Sequence, residues 1–153
     1  MIRELLTKLL VSNAVAFESS KVSFYLKAAE TIKNEQARKF LIRMANEESE
    51  HLKRLEKLKQ PSDEDVVMKD HIEEIHFLGL KEVEREREIS SDASAIEVLQ
   101  AAIELERDAY DFYYLLSEKA KLRSVKEIFA LLATEEHVHL SALEEELAKI
   151  AGT

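Results

Sequence analysis

The chain has 153 residues, enough for one domain with a substantial core, and a formal charge of −9, so neither nucleic acid nor an anionic membrane is an expected partner. It contains no Cys, which excludes a disulfide framework, a zinc knuckle, an iron–sulfur cluster and thiol catalysis within these residues. Only two Gly and one Pro interrupt a composition rich in Ala, Leu, Glu and Lys, and that balance predicts an all-α protein.

Apolar residues at helical spacing predict a first helix from about Ile2 to Thr31. Its longest uncharged run near the start, Leu9–Phe17, falls well short of the roughly 20 residues that a membrane span needs. Ala14-Val15-Ala16 is similar to a signal-peptidase site, but Glu4 and Lys8 interrupt the apolar stretch, and cleavage would remove the turn that carries Glu18. A cytoplasmic location is expected. Asn34 is placed to cap a second helix, about Glu35 to Lys59, which Pro61 terminates.

Residues 60–93 are too many for a hairpin turn. A helix of about 26 residues is roughly 40 Å long, and some thirty residues can run back along it. A long crossover between the second and third helices is therefore expected, with helical pieces around Val67, His71, Ile75 and Leu78 and over Lys81–Ile89. Ser94 with Glu97 forms a capping-box signature for a third helix to about Ala120, and Ser124 with Glu127 forms another for a fourth to about Ile150. The first pair and the last pair have short connections, which predicts two antiparallel hairpins in a single four-helix bundle over residues 1–153.

A polar pattern is written twice along these helices. Glu18 is followed by Glu48 and His51, and Glu106, Glu136 and His139 repeat the set 88 positions later. Phe24-Tyr25 matches Phe112-Tyr113 at the same offset, Ala45 matches Ala133, and Leu52 and Leu55 match Leu140 and Leu143. Glu-x-x-His alone is weak in a Glu-rich chain, since Glu73 and His76 share the spacing inside the crossover with no repeat mate. Helical position carries more weight. Glu48 continues the stripe Leu41, Met44, Ala45, His51, Leu52 and Leu55, and Glu136 continues Phe129, Leu132, Ala133, His139, Leu140 and Leu143. Glu18 lies among Val11, Ala14, Val15, Val22, Tyr25 and Ala29, and Glu106 among Leu99, Ala102, Ile103, Ala109, Tyr110 and Tyr113, so each acid falls on its helix's buried seam.

Four unpaired carboxylates facing one another in a core cost several kcal/mol each. Two divalent cations relieve that cost, because four carboxylates and two neutral imidazoles balance a charge of +4. The mixed oxygen and nitrogen donors suit iron, or manganese in its place. Tyr25 and Tyr113 lie two turns beyond Glu18 and Glu106 on the same face and can reach a ligand carboxylate or simply pack in the core. Tyr114 is a comparable candidate. Glu47, Glu135 and His137 read as surface residues, and His71 and His76 as crossover packing or solvent.

The six residues, with the strings AFESSKVSFY and ELERDAYDFYY, resemble the ferritin-like di-iron carboxylate proteins, most closely their rubrerythrin-like branch without the rubredoxin module. The resemblance covers all four helices. It implies a ferritin-like bundle with Glu18 and Glu106 as terminal carboxylate ligands, Glu48 and Glu136 as bridges, and His51 and His139 as nitrogen ligands of two iron ions. It further implies reaction with hydrogen peroxide or dioxygen, with electrons from a separate donor protein, and self-association as a homodimer. Rubrerythrins proper carry one more Glu a turn after the third-helix ligand, where this chain has Ala109. That departure leaves a ferroxidase for iron handling as the alternative, and a metal-free helical interaction protein as a third class.

Overall fold

The computed structural model describes residues 2–57, 88–120 and 123–152, with side chains from Leu10 onward except that of Ser124. Four helices account for almost all of them: α1 (Ile2–Thr31), α2 (Glu35–Lys57), α3 (Ala95–Lys119) and α4 (Arg123–Ala151). Among the described residues there is no strand, and no helix is long and apolar enough to cross a membrane.

Local chemistry sets the helix limits. Asn34 Oδ1 accepts from the Ala37 amide at 2.9 Å, satisfying one of the donors left open at the start of α2. The guanidinium of Arg38 ties the turn back by donating to the carbonyls of Ala29 at 3.2 Å and Ile32 at 2.8 Å. At α3 the expected capping box forms in both directions: the Ser94 hydroxyl accepts from the Glu97 amide at 3.2 Å, and the Ser94 amide donates to the Glu97 carboxylate at 2.7 Å. The fourth helix differs from expectation. It already includes Arg123, so Ser124 sits inside its first turn, and Glu127 pairs instead with Arg123 at 2.7 Å. Of the crossover only residues 88–93 are described, and they form no helix, so the helical piece expected over Lys81–Ile89 does not include its last two residues; the expected end of α2 at Lys59, Pro61 and the Glu73/His76 decoy lie outside the described residues.

Consecutive helices packed along their length and joined by short turns must run antiparallel, as α1 with α2 and α3 with α4 do. The two hairpins close into a four-helix bundle over one core. Phe17, Phe24, Leu41, Met44, Leu99, Phe112, Leu116, Phe129, Leu132 and Leu143 are all buried in it. Leu41, Met44, Leu99, Phe129, Leu132 and Leu143 lie on the stripes read from the sequence, and Phe17, Phe24, Phe112 and Leu116 widen the buried face, so apolar burial at tens of cal/mol per Å2 drives assembly. The seam is not wholly apolar, however. Near the middle of every helix a carboxylate replaces the apolar residue.

Candidate metal centre

Glu18, Glu48, Glu106 and Glu136 have no exposed surface at all, and His51 and His139 are buried with them. One acid comes from each helix, and α2 and α4 add an imidazole one turn later. The six residues fall into two groups. Glu18, Glu48, His51 and Glu136 offer ligand atoms within 4.8 Å of one another, and so do Glu48, Glu106, Glu136 and His139. Glu48 and Glu136 belong to both. The described structure therefore carries two three-oxygen, one-nitrogen sets that share two carboxylates.

The imidazoles present Nδ1 to the cluster. His51 Nδ1 lies 3.3 Å from Glu18, 3.0 Å from Glu48 and 3.2 Å from Glu136. His139 Nδ1 lies 2.9 Å from Glu48 and 3.2 Å from Glu136. The two rings stack at 5.2 Å with planes 14° apart. The tyrosines cross between hairpins: Tyr25 donates to Glu106, and Tyr113 donates to Glu18. Phe17 and Phe129 pack against Tyr113, and Phe24 against Tyr25, so apolar rings enclose both phenols.

Two expectations need correction. Tyr114 is 51% exposed and stacks on Tyr110, away from the cluster. Glu47 and Glu135 are not idle surface charges. Glu135 approaches His51 Nε2 at 3.0 Å, Glu47 approaches His139 Nε2 at 2.9 Å, and Arg54 holds Glu135 from outside at 2.7 Å. Each His thus reaches an acid of the opposite hairpin on the side away from the cluster. The repeat held this signal, because Glu47 and Glu135 are also 88 residues apart. His137 is exposed as expected, with its ring near Tyr110.

Lys21 is the residue that sequence reasoning missed. It is fully buried, and its Nζ lies 2.9 Å from Glu48, 2.8 Å from Glu136, 3.2 Å from Glu106 and 3.5 Å from Glu18. The signal was its spacing: Ala14, Glu18, Lys21, Tyr25 and Ala28 form one continuous inward stripe of α1.

Electrostatics follow from this crowding. Burial pushes the Glu18 carboxyl up to about 8 and raises Glu106 in the same way, with the neighbouring acids adding to it. Burial also opposes charge on Glu48 and Glu136, but Lys21 and the two imidazoles hold both below the usual carboxylate range. For the imidazoles desolvation works against the proton, and the surrounding carboxylates outweigh it, taking His51 to about 12 and His139 to about 9. Desolvation likewise opposes the Lys21 ammonium, yet the four acids together, Glu106 and Glu136 foremost, hold it well above its ordinary range.

The donor set fits metal ions. Glu48 Oε1, Glu48 Oε2 and Glu136 Oε1 are buried without a well-directed hydrogen bond, although cationic nitrogens lie 2.9–3.2 Å away. Such contacts are electrostatic but undirected, as suits oxygens arranged for spherical ions, which make no demand on donor angle. A protein-family model described as Rubrerythrin matches residues 10–98 and 97–153 of the chain. Comparison with curated proteins and with solved structures finds no significant match.

Proposed function

Because the chain belongs to the rubrerythrin family, we propose that its buried cluster is a non-haem di-iron centre that reduces hydrogen peroxide or dioxygen. The observation that carries this reading is the pair of ligand groups sharing Glu48 and Glu136. Glu18 with His51 would complete the first site and Glu106 with His139 the second. These residues would hold iron, which when bound would supply the redox chemistry for reducing the oxidant, and manganese would accept the same donors.

The protein's own part is to shape and dry the site. Tyr25 holds Oε1 of Glu106 and Tyr113 holds Oε1 of Glu18, so the second oxygen of each terminal carboxylate turns toward Lys21 and the cluster, where it would ligate. Glu47 and Glu135 favour a proton on the outer Nε2 of His139 and His51, which leaves Nδ1 to face the ions. The aromatic residues around the phenols keep competing water scarce. Peroxide reduction consumes two electrons and two protons per molecule and yields two waters. These residues hold no Cys for a redox relay, so the electrons would reach the centre from a donor outside them.

A second reading, ferroxidase activity for iron handling, is favoured by one observation. Ala109 is fully buried where the family resemblance expects a further carboxylate, so the centre has no seventh ligand at that position. Anaerobic loading followed by oxidant separates the two. Repeated peroxide turnover with an electron donor supports the oxidoreductase. Oxidation of many Fe(II) per chain, without donor-dependent turnover, overturns it in favour of iron handling.

A further inference from the structure

The repeat makes the centre symmetric in its six donors, its two tyrosines and its two outer acids, but not in Lys21. The position 88 residues later is Ala109. One hairpin thus sends a cation into the centre where the other sends a methyl group. α1 aims this side chain inward by placing it one turn after Glu18 and one turn before Tyr25, with both neighbours fully buried. Its ammonium reaches an oxygen of every acid within 3.5 Å. Only the contacts to Glu106 at 3.2 Å and Glu136 at 2.8 Å are directed hydrogen bonds. The ammonium acts on Glu18 and Glu48 through charge, without a directed hydrogen bond.

We infer that Lys21 is a tethered counter-ion of the metal centre, holding the four acids together in the metal-free protein and yielding its place when metal enters. The inference rests on the di-metal reading of the site. Charge arithmetic gives it direction: with every acid ionised and both imidazoles neutral, the state that metal binding requires, four carboxylates and one ammonium sum to −4 + 1 = −3. Two divalent ions bring the centre to +1 with the ammonium in place, and to zero once it has withdrawn. Lys21 touches both shared acids, so it occupies the space on which two ions converge. Its four-carbon stem can swing the head group aside without moving α1. Loading is therefore a competition. The chain gains a stable metal-free form and gives up metal affinity in exchange.

K21M tests this, because Met keeps the length and apolar bulk of the stem while removing the charge. Chelator-treated wild type and variant are compared by thermal unfolding, and both are titrated with Mn(II) while free ion is followed by electron paramagnetic resonance. The metal-free Tm of K21M is expected to fall by at least about 5 °C. Its Mn(II) affinity is expected to rise at least about tenfold. A metal-free Tm equal to or above that of wild type overturns the inference. So does Mn(II) uptake by wild type with no gain in K21M, and that result leaves the di-metal reading standing. Uptake by neither protein overturns both. A K21M chain that folds only with Mn(II) present is the expected result in its strongest form. If it folds in neither condition, K21M/E106Q decides, since it removes an acid along with the base. A recovered cooperative melt supports the counter-ion, and no recovery overturns it.

Discussion

Single residues in this protein act through what burial forces on them. Tyr25 and Tyr113 each satisfy a carboxylate that has no water to turn to. Replacing either with Phe removes the donor and leaves the acid's desolvation uncompensated, at a cost on the order of 1–3 kcal/mol. Y25F and Y113F are thus predicted to lower metal-free stability by similar amounts in urea unfolding. Equal stability to wild type would show that the phenols are only filling space. The crowding of acids and imidazoles gives a second prediction. Glu18 rises from 4.5 to about 8 on folding and His139 from 6.5 to about 9, so the folded state favours the proton at both. Their stabilisation is complete below about 4.5 and 6.5 respectively, and it is lost as pH rises through 8 and 9. Glu48 and Glu136 are shifted down, so their share is lost as pH falls below the usual carboxylate range. Metal-free protein should therefore melt highest in mild acid and progressively lower toward pH 9. Saturating metal should reverse that alkaline trend, because ions need deprotonated ligands. A metal-free Tm flat from pH 5 to 9 contradicts this. The six ligand candidates were legible because each sits at helical register on a seam and has a mate 88 residues away. Lys21 was not, since a lysine is ordinarily solvated and its mate is an alanine.

At the scale of elements, capping chemistry was the most readable feature. Asn34 and the Ser94/Glu97 box stand at the starts of α2 and α3 as their side chains dictate. S94A is predicted to cost about 1 kcal/mol, and N34A a similar amount, measured by chemical denaturation. Neither should change metal stoichiometry, since both caps lie at helix ends far from the mid-helix acids. Loss of metal binding in S94A would show that the ends of α3 and the centre are coupled. Ser124 was read with the same rule and lies one residue inside α4, where Arg123 already belongs to the helix. Sequence signatures fix which turn a helix starts in better than which residue begins it. The cross-hairpin contacts of Glu47 and Glu135 were hidden for another reason. Periodicity places a residue on its own helix and says nothing of which neighbour its long side chain will reach.

For the whole molecule, four rods each contribute one acid to a place that water does not reach. A core does not keep such an arrangement without cations. Lys21 provides one from within the chain, and each of the paired ligand groups has donors that could hold a metal ion from outside. E48A or E136A removes an oxygen donor common to both groups and is predicted to abolish metal loading, measured by metal analysis after dialysis. E73A, the decoy of equal spacing, should load as wild type does. Equal loss in all three variants would mean that the wrong Glu-x-x-His pair has been assigned. The most direct measurement is anomalous diffraction from crystals loaded with Fe(II) or Mn(II). Two peaks per chain are predicted, both between Glu48 and Glu136, one beside Glu18 and His51 and the other beside Glu106 and His139, with the Lys21 ammonium moved aside. Crystals saturated with metal that show no anomalous peak among these acids, and Lys21 still seated between them, would contradict it.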